Sequence, residues 1–435
     1  MPPPLPQGFS AAGAACGIRK LGADLALFRS DRPAAAAALF TRNLFPAAPV
    51  VVSARHLASS HGRARAVLVN AGCANAATGR AGHAACGRTL SALARLSGFA
   101  DDELLVASTG VIGELLPDRR ITEALPALWE ALSADGLDAA SAAILTTDTV
   151  PKTATATFFW QGRTARITGC AKGAGMIHPR LLPSSRIATT TAAGGTSRER
   201  GSRGGKPGPL RDAPAGRSPR HATMLAFLFT DAGVAPPLLR RALALASARS
   251  FEAISVDGDT STNDSVFLLA NGASGLRVGS HNRSFGRFLE ALSAVAGSLA
   301  EQIVRDGEGA RRILVLEVTG AHDHATADLV AREICRSPLV KTALAGGDAN
   351  WGRFLSAAGA SGARFDPSRV ELSLAGVAVA RAGSAVPYDR ARVASAFRAP
   401  EVRARLVLGR GPGRVVFRTC DLTEDYVRIN ADYRS

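Results

Sequence analysis

The chain has 435 residues, 46% of them hydrophobic, and carries a formal net charge of +16. That length and apolar share support two or three packed cores; no apolar run reaches membrane-span length and the start Met1-Pro2-Pro3-Pro4-Leu5-Pro6 resembles neither a signal nor a transit peptide, so a soluble cytoplasmic protein is expected, with no membrane partner. The charge does not call for a nucleic acid: residues 180–220 hold nine Lys/Arg against two acids, or +7, and the other +9 is spread thinly, almost all arginine, with few aromatics to stack on bases.

In chain order, Val67-Leu68-Val69 is short, apolar and bounded by polar residues, as a buried strand is. Residues 153–160, then Gln161-Gly162, then residues 163–168 predict a hairpin that delivers the chain to Lys172. Residues 180–220 are rich in Gly, Ser, Pro, Thr and Arg and lack apolar periodicity, which reads as a disordered basic insertion. Pro236 and Pro237 followed by Leu238, Leu239 and Leu243 predict a helix with proline in its first turn, and Ile313-Leu314-Val315-Leu316 another buried strand. Strand-like and helix-like segments alternate throughout, which indicates a mixed α/β protein.

Several isolated signals favour ordinary structure. The six cysteines, Cys16, Cys73, Cys86, Cys170, Cys335 and Cys420, are scattered, without a C-x-x-C pair, and read as reduced, mostly buried thiols. His322 and His324 flank Asp323 in a polar loop and read as surface residues rather than metal ligands. In Gly409-Arg410-Gly411-Pro412-Gly413-Arg414 the proline favours a hairpin turn over a nucleotide loop.

The most informative feature is a broken motif. Lys172-Gly173-Ala174-Gly175-Met176-Ile177-His178-Pro179 is separated by the basic segment from His221-Ala222-Thr223-Met224-Leu225-Ala226-Phe227, and Pro-Arg stands at both edges, at Pro179-Arg180 and Pro219-Arg220. Removing 40 residues joins the halves into Met-Ile-His-Pro-Arg-His-Ala-Thr-Met-Leu. The joined motif resembles the ornithine acetyltransferase family, the glutamate N-acetyltransferases of the ArgJ type. Further blocks match in order: Ser108 to Gly113, Thr146 to Lys152, Asp257 to Asp264, Ser337 to Thr342, Gly347 to Arg353 and Ile429 to Ser435. In Asn70 to Gly79, Cys73 and Ala77 depart from the family's usual Asn and Cys.

The resemblance implies a self-processing αββα-type α/β sandwich of the DmpA/ArgJ kind over residues 1–285, and a smaller α/β domain over 286–435. It implies autocatalytic cleavage between Ala222 and Thr223, giving chains 1–222 and 223–435 that assemble two by two. Thr223 would be the nucleophile, its freed α-amine the base, and Thr109 and Gly110 the oxyanion donors. Thr146, Lys172, Thr223, Glu308, Asn430 and Ser435 would surround the amino-acid substrate. The reaction implied moves acetyl from N2-acetylornithine to glutamate through an acetyl ester on Thr223, with no cofactor and no metal; a second use of acetyl-CoA as donor is not legible in these residues. Away from the family, an Ala-Thr pair is ordinary, Ser-Thr-Gly is a capped turn, Lys172 fits no P-loop and Glu308 is a solvated loop carboxylate. Two other functions stand beside this one: an aminopeptidase or amidase of the same fold with water as acceptor, and an uncut, inactive basic binding protein whose insertion blocks maturation.

Overall fold

The computed structural model describes residues 3–187, 223–280 and 283–431; Ala222, Ser435 and residues 188–220 of the basic segment lie outside them. The larger unit is organised by four N-terminal strands, β1 (Phe9–Ala14), β2 (Leu25–Thr41), β3 (Arg63–Cys73) and β4 (Leu104–Val111). The apolar pattern of β2 is interrupted by the exposed residues Asp31, Arg32 and Pro33. Its register against β3 jumps at that point, with Arg29 opposite Ala66 but Ala34 opposite Ala64. Surplus residues on one strand bend it.

The bend turns one hydrogen-bonded sheet into two stacked layers. Four strands extend the second layer from the far half of β2: β5 (Lys152–Trp160), β6 (Arg163–Lys172), β8 (Leu225–Thr230) and β11 (Ser265–Ala270), in the order β2-β11-β8-β6-β5, with β7 (Leu181–Pro183) also on β2. Phe267 of β11 lies opposite Ala38 on one side and Phe227 on the other. Phe28, at the start of β2, nonetheless has its ring 5.1 Å from those of Phe227 and Phe229. A straight strand would hold residues 28 and 38 about 33 Å apart, so the contact requires the fold-back. Phe9, Phe28, Phe40, Phe227 and Phe267 fill the space between the layers. Helices Gly79–Ser97 and Asp118–Glu130 cover the outside of the first layer, and helices Pro236–Ala248 and Arg283–Arg305 the outside of the second. This is the αββα sandwich expected.

The hairpin and the proline-led helix form where the sequence placed them. Gln161 and Gly162 turn at φ 48° and 74°, the positive-φ pair that suits a two-residue hairpin loop. The reading of disorder from residue 180 onward begins too early. Leu181, Leu182 and Ile187 are the apolar residues at the head of that segment; Leu181–Pro183 pairs with Leu39–Thr41, and Leu181 and Ile187 are buried. Two such side chains contribute about 1.5–3 kcal/mol each, enough to hold the stretch on the sheet.

A short parallel ladder of β9 (Gly233–Val234) and β12 (Arg277–Val278) closes one edge. The smaller unit is a second sheet in the order β10-β18-β13-β17-β14-β15-β16: β10 (Ile254–Ser255), β13 (Ile313–Ala321), β14 (Glu371–Leu374), β15 (Val377–Arg381), β16 (Ser384–Ala385), β17 (Glu401–Val407) and β18 (Gly413–Cys420). Helices His324–Arg336, Pro338–Gly346 and Trp351–Ala360 pack on one face. β10 comes from the chain of the larger unit, and Ile313, Val315 and Cys420 join the core under helix Arg283–Arg305, so the two units share packing. A boundary at 286 would cut that helix, whose Phe288, Leu292, Val295 and Leu299 pack with the larger unit.

The glycine-rich loop before β18 is not a hairpin turn. β17 and β18 flank β13 on opposite sides, so the loop passes over the end of β13. Its glycines are there for close approach, since a Cβ on Gly411 would lie 2.0 Å from the Ala321 oxygen and one on Gly413 2.1 Å from that of Asp323. Asp323 caps the following helix by accepting from the Thr326 N–H at 2.8 Å. All six cysteines are free thiols, with Cys16 half-buried and the others buried. Among the described residues no His/Cys/Asp/Glu group suits a metal, and no helix is long and apolar enough to cross a membrane.

Candidate active site

Strand register gathers the chemistry-bearing residues at one edge of the sandwich. Lys172 ends β6 opposite Leu225, the first residue of β8, and Ser265 opens β11 opposite the same residue. Thr223, Lys172 and Asp264 therefore converge. In the other layer Thr109 and Gly110 of β4 lie opposite Ala71 and Gly72 of β3. Asn263 ties the layers together, its Nδ2 donating to the Ala74 oxygen at 2.7 Å and the Ser108 oxygen at 2.9 Å. Gly110, at φ 135°, admits no side chain: a Cβ would sit 2.1 Å from the Gly72 carbonyl carbon.

Lys172 is fully buried and donates to Thr146 Oγ1 at 2.6 Å and Thr109 Oγ1 at 3.3 Å. Burial lowers its pKa, with Asp148, 3.5 Å away, acting in the opposite sense. Asp148 is the hub beneath it. Its carboxylate accepts from Lys152 Nζ at 2.7 Å, the Gly173 N–H at 2.5 Å and the Thr146 N–H at 3.1 Å. Burial pushes this carboxyl up, but Lys172, Lys152 and these hydrogen bonds together hold it well below the usual carboxylate range. Lys152 reaches on to Asp306 at 2.6 Å, and Asp306 also accepts from the Thr149 N–H at 3.0 Å.

That chain of charges leads to Glu308. Far from being a solvated loop carboxylate, Glu308 is buried; its N–H donates to the Ala174 oxygen at 2.8 Å and its Oε2 accepts from Asn430 Nδ2 at 2.9 Å. The motif's second glycine permits this, because a Cβ on Gly175 would lie 2.5 Å from the Glu308 carboxyl carbon. Asp257 accepts from the N–H groups of Met176 and Ile177 at 2.5 and 3.0 Å, and burial raises its pKa to about 6. The lysine loop is thus clamped from three sides.

Thr223 is buried, and its Oγ1 lies 2.8 Å from Ser261 Oγ. Asp264 Oδ1 accepts from the Met224 N–H at 3.0 Å, while its Oδ2 is buried without a partner among the described residues. Burial pushes its carboxyl up to about 8. The site offers a buried threonine hydroxyl, an N–H and hydroxyl pair on β4, a buried lysine, and an acid with an amide. That set suits acyl transfer to and from a small amine-bearing molecule.

Of the residues singled out from sequence, Lys172, Thr109 and Thr146 form one hydrogen-bonded group, Glu308 and Asn430 a second, and Thr223 stands beside Ser261. Sequence reading missed Asp148, Lys152, Ser261, Asp264 and Asp306. For Lys152, which opens β5, and Asp264, which precedes β11, the signal available was a charged residue directly abutting an apolar strand run, where a charge is normally absent. A separate groove on the smaller sheet, lined by Glu317, Arg403, Arg405 and Arg414, is a different matter; its arginines are already paired with Glu317 and Glu401.

The ArgJ family model matches residues 10–194 and 215–435, so the unmatched interior is shorter than the 180–220 read from composition. An arginine biosynthesis bifunctional protein ArgJ from Gloeobacter violaceus is 40% identical over 431 residues, 98% of this chain and 96% of that protein. The protein of the same name from Symbiobacterium thermophilum is 42% identical over 434 residues, covering 99% and 98%. Among solved structures, ArgJ from Bacillus halodurans aligns with a TM-score of 0.45 at 36% identity, over 47% of this chain and 96% of that one.

Proposed function

The chain belongs to the ArgJ family, and on that premise we propose that it is an acetyltransferase of arginine biosynthesis in which Thr223 carries the acetyl group. The donor is N2-acetylornithine and the acceptor glutamate. In the first half-reaction Thr223 Oγ attacks the acetyl carbon, the oxyanion faces Thr109 and the Gly110 N–H, and ornithine leaves. In the second, the glutamate amine attacks the ester, giving N-acetylglutamate and restoring the hydroxyl. The base is the α-amine of Thr223, whose ordinary pKa of about 7.7–8.0 suits neutral pH. Lys172, Thr146, Glu308, Asn430 and Ser435 surround the amino-acid part of the substrate.

The α-amine exists only after cleavage between Ala222 and Thr223, so maturation precedes activity. The products, 1–222 and 223–435, assemble as two of each in the cytoplasm. The scheme needs no cofactor; acetyl-CoA enters as a second donor to the same ester, tested by supplying it in place of acetylornithine. The observation that carries this reading is the buried Lys172 ammonium shared by Thr109 and Thr146 at the end of β6, paired with Leu225, two residues after Thr223. The test is intact mass of the wild type and of Thr223→Ala, followed by acetyl transfer. Two chains from the wild type, the smaller starting at Thr223, a single chain from the variant, and acetylglutamate rather than free acetate as product are the expected results. Free acetate alone would favour the amidase reading, and an uncut wild type would refute the nucleophile assignment.

A further inference from the structure

We propose that Ser261 and Asp264 are positioning residues for the self-cleavage step, gripping the Thr223-Met224 peptide while the chain is still whole; this rests on the reading of Thr223 above. In the uncut chain the nitrogen of Thr223 is an amide and cannot serve as a base. The hydroxyl must be aligned by something else. Its described partner is Ser261 Oγ, at 2.8 Å. Ser261 is itself fixed: fully buried, its Oγ accepting from the Asn263 N–H at 3.1 Å and its carbonyl from Thr41 Oγ1 at 2.6 Å. Three residues further on, Asp264 Oδ1 holds the Met224 N–H at 3.0 Å while the Ser265 N–H holds the Met224 oxygen at 3.0 Å. Among the described residues the second oxygen of Asp264 is buried without a partner beside this peptide, a costly arrangement for a purely structural carboxyl.

The step these residues align is an N-to-O acyl shift. The Thr223 Oγ bonds to the carbonyl carbon of residue 222 as the bond from that carbon to the Thr223 nitrogen breaks, and the hydroxyl proton ends on the nitrogen, which becomes the α-amine. Water then adds to the ester carbon and the carbon–Oγ bond breaks. This leaves a carboxylate on residue 222, a released proton and a restored Thr223 hydroxyl. Once the amine is free it takes over the hydroxyl proton, and the demand on Ser261 relaxes.

The test follows maturation and acetyl transfer separately in the full-length chain for Ser261→Ala, Ser261→Thr, Asp264→Asn and Asp264→Ala. The appearance of two chains is timed by intact mass, and acetyl transfer is expressed per mature Thr223. Ser261→Ala should slow maturation about tenfold or more, the equivalent of one lost hydrogen bond, and Ser261→Thr should restore part of it. Acetyl transfer per mature site should fall by a smaller factor than maturation. Asp264→Asn, which keeps an acceptor for Met224, should mature faster than Asp264→Ala. Maturation of Ser261→Ala at the wild-type rate, or an equal loss in both steps, overturns the proposal. A wild type that never cleaves would instead refute the role given to Thr223, so the two failures are distinguishable.

Discussion

Replacing Asp148 with asparagine tests the charge network under the site. The native group sets two lysines against two carboxylates: Asp148 lies 2.7 Å from Lys152 and 3.5 Å from Lys172, and Lys152 lies 2.6 Å from Asp306, all with side chains at most 7% exposed. The asparagine leaves Lys172 without its nearest counter-charge and offers one acceptor where the carboxylate offered two. Removing one partner of a buried pair typically costs about 3–5 kcal/mol; because Lys152 keeps Asp306, the low end, about 3 kcal/mol, is expected. The assay is the urea midpoint at pH 7, with Lys152→Met and the double variant completing a cycle. The two single effects should fail to add by more than about 1 kcal/mol, since the residues share one network. The sign with pH follows from Asp148's depressed pKa. Its stabilisation is full above the unfolded carboxylate value of about 3.9 and is lost as pH falls through its folded value. The gap between variant and wild type must therefore narrow in strong acid. A variant within about 1 kcal/mol of wild type at pH 7, with additive effects, would show that solvent reaches this group and that the network does not hold the site.

Asp264, pushed up to about 8 by burial and facing Lys172 and Asp257, is protonated in the folded chain where an unfolded one would ionise. The folded state therefore binds the extra proton between about pH 4 and 8, and its stability declines across that window. Asp264→Asn should flatten the decline, read as urea midpoints at pH 5, 7 and 9; parallel curves would reject the assignment. Gly110→Ala drives a Cβ to 2.1 Å from Gly72 at a φ of 135°, so it should lower yield or thermal midpoint and reduce acetyl transfer by about a hundredfold or more as the N–H moves. Soluble Gly110→Ala of normal activity would remove the N–H from the oxyanion role. Glu308→Gln keeps an acceptor for Asn430 but removes the charge, so KM for acetylornithine should rise at least about tenfold with a smaller change in kcat. An unchanged KM would place the substrate's amine elsewhere.

Much of the site was legible because its residues sit in short runs of unusual composition. Lys172 before its Gly-Ala-Gly run, Ser-Thr-Gly and the Ala-Thr junction could be paired only through the family resemblance, and the fold then brings Lys172 to within hydrogen-bonding distance of Thr109 and Thr146. Local chemistry was enough for the hairpin at Gln161-Gly162 and the proline-led helix. It was not enough for the fold-back of β2, which depends on how Phe28 meets Phe227 across the sandwich, nor for the loop at Gly409 to Gly413, where turn-forming residues serve a crossing rather than a hairpin. Asp148, Lys152 and Asp264 escaped notice for a related reason. A charged residue is read as exposed until its partners are known, and Lys172 for Asp148, Asp306 for Lys152 and Met224 for Asp264 are distant in sequence.

The strand order β2-β11-β8-β6 gives the cleavage proposed before Thr223 a further meaning. Two strands from beyond the break, β11 and β8, are inserted between two from before it, and every ladder bond of that stretch survives the loss of the 222–223 peptide. A chain opened there becomes two interleaved polypeptides that dilution cannot part, since separation would strip β11 from β2 and β8 from β6 and uncover the aromatic layer beneath. Each half lacks the other's strands as a folding template. A pair made by such a cut must form as one length of chain before it is nicked, and once denatured it would have no intramolecular route back.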